Sequence, residues 1–156
     1  MTQERKIEFQ RRLTQSNRSG VILIMYEIIF EYLDEALTEN RDRETYKNSL
    51  RKAQEMIREL MYALDFQYPL SKSLASLYQY SNTRLSMSMY EHKPDKIIEV
   101  KKILTALYDS FTEAAKEDHS GPMMKNTQQV YTGMTYGKDN LAQNYVDGNI
   151  HRGFLA

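Results

Sequence analysis

Cysteine is absent from the 156 residues, which removes disulfides, thiolate metal sites and thiol catalysis and suits a reducing compartment. Tryptophan is absent too, and glycine is nearly confined to the end of the chain, Gly20 being the only one before Gly121. The long glycine-free stretch offers no phosphate-cradling loop. Net charge is also missing, with 21 Lys and Arg against 21 Asp and Glu, so no field draws the chain toward nucleic acid or an anionic membrane. No apolar run approaches about 18 residues, and the opening Met1-Thr-Gln-Glu-Arg-Lys6 leads into a polar amphipathic segment in place of a signal peptide's apolar region. These absences predict a cytoplasmic protein without membrane insertion and without a nucleic-acid partner, built as one domain plus a tail.

What is present is helical periodicity. A short helix is expected over 2–15, where Ile7, Phe9 and Leu13 give a partial apolar stripe. Ser19 offers an N-cap for a helix over 20–39, in which Ile22, Met25, Tyr26, Ile29, Leu33 and Ala36 recur at three and four. Helices follow over 43–66 (Tyr46, Leu50, Ala53, Ile57, Leu60, Leu64), 70–92 (Leu70, Leu74, Leu77, Tyr78, Ser81, Leu85) and 94–118 (Ile97, Val100, Leu104, Leu107, Phe111). Pro69 and Pro94 mark two of the starts. Long helices joined by short turns pack against their neighbours, so the fold expected is all-α: an antiparallel up-down four-helix bundle over 1–118, with a short N-terminal helix and a glycine-punctuated C-terminal tail over 119–156.

Chemistry has few candidate bearers. His92, His119 and His151 lie apart without metal-ligand spacing. Glu27, Glu31, Glu35, Glu55 and Glu59 are expected on outer faces as a solvated charged surface, which removes the inward acids of a metal-holding bundle. No nucleophile stands beside a base in a recognisable motif. The reading is a protein without catalytic residues, metal or cofactor. One feature exceeds what a bundle core requires: besides its core stripe, the helix from Gly20 carries a second one, Val21, Ile24, Ile28 and Tyr32. A helix apolar on every side has to be covered on every side. Either Ile7, Phe9 and Leu13 cover it permanently, or the cover gives way to a partner helix laid in a groove. Nine Met and twelve Tyr, with Tyr80, Met87 and Tyr90 off the stripe of their own helix, suit an adaptable binding surface.

Residues 16–118 resemble the FliS family of flagellar export chaperones. The resemblance rests on Ile22-Leu-Ile-Met-Tyr-Glu27, Arg51-Lys-Ala-Gln-Glu-Met-Ile57 with Leu60 and Leu64-Asp65, Leu74, Leu77-Tyr-Gln-Tyr80 with Arg84-Leu85, and Val100 with Ile103-Leu-Thr-Ala-Leu107. It implies a chaperone that covers the apolar C-terminal segment of flagellin, preventing premature polymerisation and keeping it export-competent, with export-apparatus or flagellar regulatory proteins as further partners and homodimerisation left open. It also implies a partner-binding groove of Val21, Ile24, Met25, Ile28, Tyr32, Tyr78 and Tyr80, with Ile7, Phe9 and Leu13 as a movable cover. Two positions depart from the family: Ile28-Ile29 stands where small residues are common, and Phe111 where Trp is common.

Over 119–156 the chain is not depleted in apolar residues, unlike a solvated linker. Asn140, Leu141, Ala142 and Gln143, followed by Tyr145, are similar to a run near flagellin C-termini, although four common residue types also match by chance. On that likeness, this tail is a pseudo-ligand for the chain's own groove or a neighbouring molecule's. Apart from the resemblance, the residues equally fit a helical adaptor or anti-assembly regulator that binds a different amphipathic segment.

Overall fold

A computed structural model describes residues 1–38 and 42–124. Five α-helices occupy them: α1 (Gln3–Gln15), α2 (Arg18–Leu37), α3 (Arg43–Tyr62), α4 (Pro69–Glu91) and α5 (Asp95–Ala115). Among the described residues there is no strand, and no helix is long and apolar enough to cross a membrane. All five lie in one compact unit, Met1–Met123.

Local signals set the helix starts. Thr2 caps α1 by accepting from the Arg5 N–H, and Asp42 caps α3 by accepting from the Thr45 N–H at 2.9 Å. α4 opens on Pro69, where a missing N–H costs nothing, and ends at His92 with φ 56°, the left-handed conformation that closes a helix. At α2 the cap differs from the one expected. Asn17 Oδ1 accepts from the Gly20 N–H at 2.9 Å, so α2 starts at Arg18, and Ser19 Oγ instead donates to Asp118. Gly20 suits this tight corner, because a Cβ there would stand 3.1 Å from Ser16 Cβ. α3 stops at Tyr62, short of the expected residue 66, and the Asp65 carbonyl accepts from Ser71 Oγ at the turn into α4.

α2 packs on α3 and α5, α3 on α4, and α4 on α5, which closes a ring of four helices; α1 packs on α2 from outside. α2 and α5 run in opposite senses: Lys101 near the start of α5 meets Asp34 near the end of α2, while Tyr108 further along reaches back to Glu27. Within the ring lie Ile29, Leu33, Leu50, Ile57, Leu85, Ile97 and Leu104, all fully buried. Tyr26 is the centre of an aromatic group: Tyr78, Tyr108, Phe30 and Phe111 all have ring centroids within 6.5 Å of its own. Its hydroxyl shares a 2.6 Å hydrogen bond with that of Tyr78, and burial pushes both phenols above their usual range.

α4 is rotated from the orientation its leucines suggest. Its buried residues are Ser71, Leu74, Tyr78, Ser81, Leu85 and Ser88, whereas Leu70 is 67% exposed and Leu77 36%. Two of the inward serines hold hydrogen bonds that a leucine could not: Ser71 to the Asp65 carbonyl and Ser88 to Tyr46 at 2.7 Å.

Tyr26→Phe and Tyr78→Phe should each cost about 1–3 kcal/mol, since each leaves the other hydroxyl buried and unpaired. The double variant should cost clearly less than the sum of the two. Urea denaturation followed by circular dichroism measures all three, and strict additivity would show that the two hydroxyls are not coupled.

Candidate functional site

α1 lies on the face of α2 that carries Ile24, Glu27, Ile28, Glu31 and Glu35, residues three and four apart. The glutamates are not a solvated surface; they bond to α1 and its leading residue. Arg12 donates two hydrogen bonds to Glu27, at 2.5 and 2.9 Å, and Arg5 Nε donates to Glu31 at 2.7 Å. The Met1 ammonium donates to Glu35, which also accepts from Ser49 of α3. Between these pairs sits Phe9, the one buried residue of α1, with the Arg5 and Arg12 guanidiniums 4.6 and 5.8 Å from its ring centroid. Arg12 above all, with Tyr108 adding a further bond, holds the Glu27 carboxyl below the usual carboxylate range.

The residues expected as cover divide. Phe9 is buried and Leu13 packs at the edge of the core, whereas Ile7 is 56% exposed and lies outside the core cluster. Two residues before Phe9, Ile7 is about 200° away around the helix, so the two cannot share a face. The residues expected as a groove divide as well. Ile24, Ile28 and Tyr32 are buried, with Lys52 of α3 over the Tyr32 ring, and Val21 and Met25 are half-buried. Tyr78 is locked in the core against Tyr26, and Tyr80 lies outside, where its hydroxyl donates to Glu99 beside Arg84. These seven do not line one open groove. Asn140, Leu141, Ala142, Gln143 and Tyr145 lie outside the described residues.

The apolar surface that is open lies elsewhere. A cleft of about 350 Å³ opens where α3 turns into α4, lined by Ile22, Leu60, Leu64, Tyr68, Leu70 and Leu74 among others. From Leu70 an outer stripe continues along α4 through Leu77, Tyr80 and Met87, spaced seven, three and seven and each at least a third exposed. The face around it is poor in charge: α4 has three charged residues in 23, α3 eight in 20. Depletion of charge with enrichment in Tyr and Met marks the core of protein interfaces. The heptad spacing is the signal in the sequence that could have revealed this stripe.

α1 should therefore be the first helix to detach. Phe9→Ala removes about 2–3 kcal/mol of burial, and the ion pairs, partly exposed, contribute at most about 1 kcal/mol each. Tryptic cleavage within α1 under native conditions should accelerate about tenfold or more; an unchanged rate would show that Phe9 does not hold α1. Acid should act at the same place. Because the folded Glu27 carboxyl is held low, its contribution is complete above the ordinary value of about 4.3 and is lost as pH falls through the lower folded value. The Phe9 ring resonances should accordingly shift below pH 4.3; release at higher pH would contradict the assignment.

No curated protein matches the chain. The family described as flagellar protein FliS matches residues 1–118, the span that contains α1 to α5. The match takes in α1 and its contacts with α2 as well as the ring of helices, and on it the chain belongs to the FliS family.

Proposed function

We propose that this chain is a cytoplasmic export chaperone that holds the C-terminal segment of flagellin, keeping it unpolymerised until secretion and using no catalytic residue or cofactor. The helices α2 to α5 serve as an antiparallel up-and-down four-helix bundle, a rigid frame on which an apolar segment is laid. The observation that carries the reading is the thin closure of α2: below α1, which contributes one buried residue, lie Ile24 and Ile28, apolar side chains that a partner helix can cover equally well. Family membership gives that partner its flagellar context.

The exchange is physically balanced. α1 is 13 residues long, a length at which a helix alone in water is marginal, so its release gives back chain entropy while the incoming segment re-covers the same apolar face. Arg5 and Arg12 then leave Glu27 and Glu31 exposed beside the vacated strip. Those carboxylates favour a segment with basic residues flanking its apolar stripe.

Isothermal calorimetry against a peptide of flagellin's C-terminal segment tests this. Phe9→Ala should tighten binding several-fold, because the competing cover is weakened. Ile24→Glu with Ile28→Glu should abolish it, with circular dichroism confirming that the helices persist. Equal affinity in all three proteins would remove the α2 face from the site.

A further inference from the structure

The corner between α1 and α2 is held from outside the two helices. After α5, which ends at Ala115, the chain turns back across that corner as a strap. Asn17 Nδ2 donates to the carbonyls of Asp118 and Ser120 at 3.2 Å, and the Met123 N–H donates to the Ser16 carbonyl at 3.0 Å. The strap is itself tightly folded. Asp118 accepts from Ser19 Oγ with one carboxylate oxygen and, with the other, from the Ser120 N–H and Oγ at 3.0 and 2.5 Å. These donors, those of Ser120 before that of Ser19, hold its carboxyl well below the usual range. Residues 118–123 belong with the helices to the unit Met1–Met123, while Ser120 and Met123 fall beyond the residues that the family matches.

Asn17 serves two helices with one carboxamide. Its Oδ1 caps α2 by accepting from the Gly20 N–H at 2.9 Å, and its Nδ2 holds the strap. The amide is planar, so both sets of bonds are satisfied together at only one setting of the corner. Next to it, Ser16 closes α1: its N–H donates to the Leu13 carbonyl, its Oγ donates to the Arg12 carbonyl at 2.7 Å, and its own carbonyl accepts from Met123. The last turn of α1 needs such a hold. Beyond Phe9 only the partly buried Leu13 touches the core. A corner fixed in advance reduces the freedom that α1 gives up on closing over α2, which strengthens the closed state without any new apolar contact.

We propose that residues 118–123 are a latch for α1, with Asn17 and Asp118 as its positioning residues: the strap fixes the α1–α2 corner and so sets how readily α1 leaves the α2 face. This deepens the reading of α1 as a displaceable cover, and its part in partner exchange rests on that reading. The latch itself is a property of the free chain. Through it, the segment that follows the last helix governs the first one, and a change that loosens the strap makes Ile24 and Ile28 more available.

Amide exchange of the full chain without any partner, beside urea denaturation of the same proteins, tests the latch. Asn17→Asp keeps an oxygen to cap α2 but replaces the amide donors with an acceptor that faces two carbonyls. Asp118→Ala undoes the strap from the other side, releasing Ser19 and Ser120. Each should accelerate exchange at residues 12–15 about five- to tenfold, with the amides of α3 to α5 and the urea midpoint unchanged. The two together should do no more than the larger single effect, because they open one latch. Glu113→Ala, which removes only an exposed ion pair with Lys116, should leave residues 12–15 as they are. Unchanged exchange there in both variants, equal acceleration in every helix, additive effects of the pair, or the same acceleration from Glu113→Ala would each overturn the proposal. Because no flagellin segment is present, none of these outcomes bears on the function proposed above.

Discussion

The structure depends on one constraint: α2 carries apolar side chains on more than one face, and each of those faces has to be covered. Seven of its 20 residues are buried, Ile24 and Ile28 among them, and Tyr26 packs on Tyr78 of α4 and on Tyr108 and Phe111 of α5. Three helices pack on it, and the largest aromatic group among the described residues is centred on its Tyr26. Hydrophobic cover is non-directional and proportional to area, so the coverings are chemically interchangeable but energetically unequal. α3 and α5 are members of a closed ring. α1 is held by one buried aromatic ring, the partly buried Leu13 and a few polar bonds, which makes it the most weakly covered contact of α2.

The ion pairs give α1 its register. Apolar cover alone would allow a helix to slide or rotate on α2, whereas Arg12 on Glu27 and Arg5 on Glu31 fix both position and direction. Such pairs contribute little net stability, so α1 is positioned accurately without being held tightly. A displaceable cover requires that combination.

Helix existence and most of the ring core were legible from three-and-four spacing, because that period is what a one-sided helix requires. Three features were not. α4 has apolar residues on more than one face, and spacing cannot decide between Leu70 and Ser71 for the inside; the hydrogen bonds of Ser71 and Ser88 decide it. Glu27, Glu31 and Glu35 read as an outer face because glutamates four apart usually are one, and the groups of α1 and its leading residue that meet them, Arg12, Arg5 and the Met1 ammonium, are 15, 26 and 34 residues away in sequence. Asn17 and Ser19 are both good N-caps, and only the pull of Asp118 on Ser19 separates them. At the site, the two apolar stripes of α2 were legible, as were Tyr78 on the inward stripe of α4 and Tyr80 off it; not legible was that the Tyr78 hydroxyl is paired with that of Tyr26 in the core.

The central claim is that α1 is a cover that a partner replaces. Amide exchange of the full chain, free and saturated with flagellin's C-terminal segment, tests it most directly. The account predicts that α1 amides are protected in the free chain and lose protection in the complex, while those of α2 around Ile24 and Ile28 stay protected throughout. Protection of α1 that is unchanged or increased in the saturated complex would contradict it.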